Sequence, residues 1–153
     1  MEGNRSVWIK RAIWLVVAVL IVAQAIRPSR TNPPIETALD ISAEAALPPA
    51  TMAVFRRACN DCHSNLTVWP WYSGVAPISW LVAYDVRAGR EKMNLSEWGN
   101  YLAEHRAKLA QEMCKEVTEG EMPEPMYTLI HSQAKLTSAD VQAVCSWSQT
   151  AQK

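Results

Sequence analysis

"RRACNDCHSN", residues 56 to 65, holds two cysteines two residues apart and a histidine directly behind the second. Four chemistries compete for Cys59-x-x-Cys62-His63: covalent haem, a redox dithiol, half of a zinc site, and a local disulfide. Covalent haem needs two thiols to add across the two vinyl groups of one porphyrin, with an imidazole close behind to reach the iron. C-x-x-C-H supplies all three groups within one helical turn. A thioredoxin-like dithiol belongs in a βαβ setting, and no strand pattern stands out in the chain. A tetrahedral zinc site needs two more Cys or His ligands at short spacing, which are missing, and a disulfide across two residues is strained. The motif therefore points to one covalently bound haem c with His63 as the proximal iron ligand.

Outward from the motif the pattern is helical. Pro48 or Pro49 suits a first helical turn, and Met52, Phe55 and Cys59 fall on one face, so a helix is expected to run straight into the motif. "SNLTVWPWYSGVAP" (64–77) reads as an irregular loop, and "PISWLVAYDVRAGREKM" (77–93) as a helix that Gly89 frays near its end. Ser96 and Glu97 are expected to open a further helix through Gly120, with Trp98, Tyr101, Leu102, Leu109, Met113 and Val117 as its apolar stripe. "EMPEPMYTLIH" (121–131) should be a loop with a short helical turn. Thr137 with Asp140 has capping-box form for a last helix, with Val141, Val144, Cys145 and Trp147 facing inward. The class is all-α.

The second axial position is open to Met122, Met126, Met93, Met113, His105 or His131. Met122 is the best placed, because a Met just after a helix-ending glycine and before a proline lies on irregular backbone that can press a thioether against a haem face. Met113 falls on a core stripe, His131 is the main rival, and a lone His is most often an ordinary packed or surface side chain. Trp69, Trp71 and Tyr72 could line a haem edge and donate to its propionates, or simply pack. Cys114 and Cys145, each on a helix of an exported chain with an even cysteine count, are expected to form a disulfide, against the alternative of two buried thiols. No nucleophile–base–acid set, phosphate loop or carboxylate pair is visible, so no enzyme is expected.

At the N-terminus, Arg5, Lys10 and Arg11 precede the uncharged run Ala12 to Ile26. Fifteen helical residues rise about 22 Å, short of a roughly 30 Å hydrocarbon core, so spanning needs the flanking "VWI" with Lys10 and Arg11 snorkelling. "AQA" (23–25) also has the form of a signal-peptidase site, and cleavage after Ala25 would release a soluble periplasmic protein. The anchor is preferred, because no polar spacer precedes "AQA" and Trp8 suits an interface. The basic N-terminal side stays in the cytoplasm. The expected order is a cytoplasmic N-terminus (1–6), a single-pass inner-membrane signal anchor (7–26), a Pro-rich linker or strap (27–47) and a periplasmic haem-binding domain (48–153). From Thr31 onward there are 10 Lys+Arg and 14 Asp+Glu, giving 10 − 14 = −4, so nucleic acid is not an expected partner.

"CNDCHSNLTVWPWYSGVAPISWL", "GREKMNLSEW", "EGEMPEPMYTLIHSQAKLT" and "RTNPP" together resemble the family of small haem-binding domain proteins related to cytochrome c. The resemblance covers most of the chain after Arg27. It implies a cytochrome c-like helical fold, covalent haem at Cys59 and Cys62, His63 as proximal ligand and Met122 of the GEMP stretch as distal ligand, and it supports the Cys114–Cys145 pairing. "HSQAKL" departs from the family's more usual pattern, with Ser132 where proline is expected. The expectation is an exported monohaem c-type cytochrome that passes single electrons to an unidentified redox partner of the bacterial envelope. The alternatives are a haem sensor or peroxidase-like domain with an open distal site, and an assembly subunit of a respiratory complex.

Overall fold

Helix α1, Glu2–Ala23, follows directly from an apolar sequence that shows no polar face. Its stretch Arg5–Ala23 has a mean hydropathy of 2.0 and none of it is buried. Nineteen residues rise about 28 Å, close to the roughly 30 Å of a bilayer's hydrocarbon, so α1 is long and apolar enough to cross a membrane. The computed structural model describes residues 2–45 and 47–151. Residue 1 of the expected cytoplasmic segment, residue 46 of the expected strap and residues 152–153 of the expected haem domain lie outside them.

All regular structure among the described residues is helical. Contacts group the chain into two units: Met1–Thr31 with Trp69–Asp85, and Asn32–Val68 with Val86–Lys153. In the first, the loop that follows α1 is laced to the second segment. The Gln24 amide donates to the Ala76 carbonyl (3.1 Å) and accepts from the Ala76 N–H (3.0 Å). The Trp80 indole N–H donates to the Ile26 carbonyl (2.9 Å), and Arg30 Nη1 to Ser73 Oγ (3.4 Å). A 3₁₀ turn, Trp71–Gly74, precedes α5, Ile78–Lys92, which begins in the first unit and ends in the second.

The second unit is built around α3 (Pro49–Ala58), α6 (Ala103–Glu119) and α8 (Ser138–Thr150). Phe55 meets Trp147 edge-on at 5.4 Å, Trp98 lies 6.0 Å from Trp147, and Val54, Leu95, Leu109 and Val144 close the core. Thr51, fully buried on α3, donates to the Ala143 carbonyl across the α3–α8 contact (3.0 Å). The capping box at Thr137 and Asp140 starts α8, and a disulfide between Cys114 and Cys145 joins α6 to it. Closing about thirty residues, that bridge contributes roughly 2–4 kcal/mol. From Asn32 on, the Pro-rich stretch is bonded to this unit: Asn32 donates to the Thr67 carbonyl (2.9 Å), Gly99 N–H to the Leu39 carbonyl (2.8 Å), and Ile41 of the short α2 (Ile41–Glu44) is buried in the core.

Three local expectations are corrected. The helix entering the motif breaks at Cys59 (φ −120°, ψ −38°) and resumes as α4, Asn60–His63. Gly89 does not fray α5, which continues to Lys92. Ser96 does not start the long helix. The Asn94 side chain caps a 3₁₀ turn, Leu95–Asn100, by accepting from Ser96 N–H, while Ser96 Oγ accepts from Asn65 N–H. The Ser96 hydroxyl is thus committed elsewhere, Glu97 leaves helical geometry, and α6 begins only at Ala103, with Leu102 exposed rather than in the stripe.

Candidate functional site

Cys59, Cys62 and His63 lie within one turn, because the break at Cys59 starts a new turn whose first bond runs from His63 N–H to the Cys59 carbonyl (2.9 Å). The two cysteines are not joined to each other. Burial, and then the neighbouring Cys62, push the Cys59 thiol up to about 12, opposed by Arg57. A redox dithiol needs the opposite, a leading cysteine with a lowered pKa. Among the described residues no group of three or more His, Cys, Asp or Glu gathers as a metal cage, which leaves a zinc reading without its other ligands.

The imidazole is held in one tautomer. His63 Nδ1 lies 3.2 Å from the Met93 carbonyl, which can only accept, so Nδ1 carries the proton and Nε2 keeps its lone pair. Burial holds the His63 pKa below its ordinary value, against the pull of the Met93 and Gly89 carbonyls and the Glu124 carboxylate. A neutral imidazole, oriented through its other nitrogen, is what metal ligation requires.

Support for the motif comes from the end of α5 and the loop behind it. A Cβ on Gly89 would stand 2.6 Å from the Cys62 carbonyl oxygen, so the absence of a side chain is what lets α5 approach the motif. Arg90 donates to the Ser64 carbonyl, Thr67 Oγ1 and Asn32 Oδ1, each at 2.8 Å, tying strap and loop to α5. Asn94 donates to buried Asn65 (2.9 Å). Asp61, between the two cysteines, accepts from Val68 N–H (2.9 Å) and from the Tyr127 hydroxyl (2.8 Å). Tyr127 belongs to α7, Pro125–Ile130, so the segment after Met122 is bonded directly to the motif.

Met122 lies on irregular backbone. Gly120 takes the left-handed conformation (φ 76°) that ends α6, and Glu121 and Met122 N–H groups share the Glu116 carbonyl (3.0 and 3.3 Å). The Met122 side chain is half-buried. The other sulfurs are occupied or turned outward: Met93 is buried in the core, Met113 packs against it, and Met126 is exposed. His105 lies against Tyr101 (5.2 Å), and His131 stacks on Tyr127 (4.2 Å). Trp69, Trp71 and Tyr72 fall in the first unit, the C-x-x-C-H turn in the second.

One residue escaped the sequence reading. Arg57, two residues before Cys59, pairs through Nη2 with Asp140, while its Nη1 is the one buried side-chain nitrogen or oxygen without a partner among the described residues. An unmet cationic donor beside the motif suits an anionic oxygen such as a haem propionate. With two thiols, an oriented imidazole and this donor, the residues present fit a haem group. The only hint in sequence was the Arg56–Arg57 pair before the motif. No curated protein and no solved structure matches the chain. A family model described as a haem-binding domain matches residues 18–150. The chain belongs to that haem-binding domain family.

Proposed function

We propose that this protein is a membrane-anchored monohaem c-type cytochrome, an electron carrier of the bacterial envelope rather than an enzyme. The observation that carries the reading is the His63 tautomer: Nδ1 is bound to the Met93 carbonyl and Nε2 is left for iron, one turn from two cysteines outside any disulfide. Cys59 and Cys62 would hold the group covalently, His63 would ligate on one side and Met122 on the other, and Arg57 would bind a propionate. The group, when bound, supplies an iron that cycles between ferrous and ferric. The chain's own part is ligation, orientation and exclusion of water. Support for Met122 comes from the Tyr127–Asp61 bond. Exposed Glu119, Glu121 and Glu124 flank that loop and favour a basic docking patch on a redox partner. Arg5, Lys10 and Arg11, in the N-terminal half of α1, favour an inner-membrane anchor with the haem-carrying part in the periplasm.

The test is an absorption spectrum of the purified protein, oxidised and reduced, with and without carbon monoxide, beside Met122→Ala. The expected result is a ferric Met-to-iron charge-transfer band that the variant loses, and a ferrous parent indifferent to carbon monoxide. A parent that binds carbon monoxide readily, or a variant with an unchanged spectrum, overturns the His63–Met122 assignment and favours an open distal site for gas or peroxide.

A further inference from the structure

Residues 69–84, "WPWYSGVAPISWLVAY", contain no charged side chain, and the uncharged run reaches back to Ser64. Large apolar side chains nevertheless face outward here: Trp71 is 83% exposed, Val75 44%, Ile78 48% and Leu81 53%. A surface in contact with water normally breaks such a stretch with charge, and the rim of a protein–protein interface is polar.

The hydrogen bonds to the exit of α1 fix where this surface lies along the helix. Gln24, the first residue beyond the Arg5–Ala23 stretch, holds Ala76 through both its amide atoms. Trp80 is bonded at Ile26 and Ser73 at Arg30. The segment is therefore pinned beside residues 24–30, where an apolar span gives way to exposed Arg27 and Arg30. Uncharged, rich in Trp and Tyr, and beside cations at the end of a span, it has the composition of a membrane–water boundary. The small cavity here, lined by Arg27, Arg30, Ser73 and Ser79 among others, has a volume of about 40 Å³. That is room for a water or two and not for a headgroup, so any lipid contact is with the outer face.

We propose that residues 71–81 form a second membrane contact: their outward face lies among the headgroups and upper acyl chains of the leaflet where α1 ends. Arg27 and Arg30 meet the lipid phosphates. The inference rests on the reading of α1 as a membrane span. Its occupant is lipid, and the face is not a docking site for another protein.

The full chain is reconstituted in phosphatidylethanolamine–phosphatidylglycerol vesicles with a photoactivatable diazirine residue replacing Val16, Ile78, Leu81 or Leu102, one at a time. After illumination, lipid adducts are read by mass spectrometry. The expected result is adduct yield at Ile78 and Leu81 comparable to Val16 and several-fold above Leu102, which is exposed in the second unit. Adducts at Val16 with only the Leu102 level at Ile78 and Leu81 overturn this proposal and leave the anchor standing. Crosslinks from Ile78 or Leu81 to a second protein chain in place of lipid also overturn it. Absence of lipid adducts at Val16 removes the anchor and the inference together.

Discussion

Gly89 sits inside α5, where glycine costs about 1 kcal/mol relative to alanine. Propensity alone therefore favours Gly89→Ala. Against it stands the 2.6 Å approach to the Cys62 carbonyl, a backbone atom that cannot swing aside as a side-chain tip would. Overpacking of this kind costs roughly 1–3 kcal/mol, so the contact wins. Gly89→Ala is expected to lower the urea unfolding midpoint and reduce covalent haem content, read by a pyridine haemochrome assay. An unchanged midpoint with full haem content would show that the motif can retreat from α5. The same turn shows how much of the site could be read from residues. Cys59, Cys62 and His63 could be put forward from sequence because the chemistry proposed for them demands adjacency in sequence. The Met93 carbonyl that orients His63 was not, because every residue carries a carbonyl and this one is thirty positions away. Met93 was considered for its sulfur, whereas its backbone oxygen is what touches the site.

Among the elements, the start of α8 was readable to the residue. Thr137 and Asp140 exchange bonds as a capping box, a purely local device. The bond from the Thr137 N–H, opposed next by burial and aided by the Thr137 hydroxyl and Arg57, holds the Asp140 carboxyl below its usual range. A depressed carboxylate contributes stability above its unfolded pKa, near 3.9, and loses it as pH falls through the folded value. Asp140→Asn is therefore expected to cost about 1 kcal/mol at pH 7, the group being partly exposed and screened. The gap to the parent should close as pH falls below the unfolded carboxylate value and through the lower folded one. Denaturation followed by far-UV circular dichroism across that range checks it; a gap that persists in acid would mean the carboxylate charge is not the source. The start of α6 was misread for the opposite reason. Ser96 has the composition of a cap, but its hydroxyl serves Asn65, thirty-one residues earlier, and only tertiary structure reveals that.

The whole chain was legible as an apolar leader followed by an all-helical body, because hydropathy and the 3.6-residue period are averages over many residues. The grouping of residues 69–85 with the leader was not, since Gln24–Ala76 and Ile26–Trp80 are pairs that no local pattern announces. Those bonds bear on processing. Cleavage after Ala25 would discard Gln24 and both its bonds to Ala76, so the leader is expected to be retained. Intact-mass measurement should find residues 1–25 still attached, and alkaline carbonate should leave the protein in the membrane pellet. A species beginning at Ile26 in the soluble fraction would show that the leader is only a signal. The α3–α8 contact, finally, sets a timetable. Phe55 and Thr51 stand just before the motif but wait for Trp147 and Ala143 of the last helix. At about 5–20 residues per second, the chain between Cys62 and Trp147 takes roughly 4–17 s to emerge. On the proposed covalent attachment, both cysteines would stand on an open chain for that interval, ahead of the burial that raises the Cys59 thiol in the folded domain. The two thiols proposed to hold haem would thus be most reactive before the last helix docks.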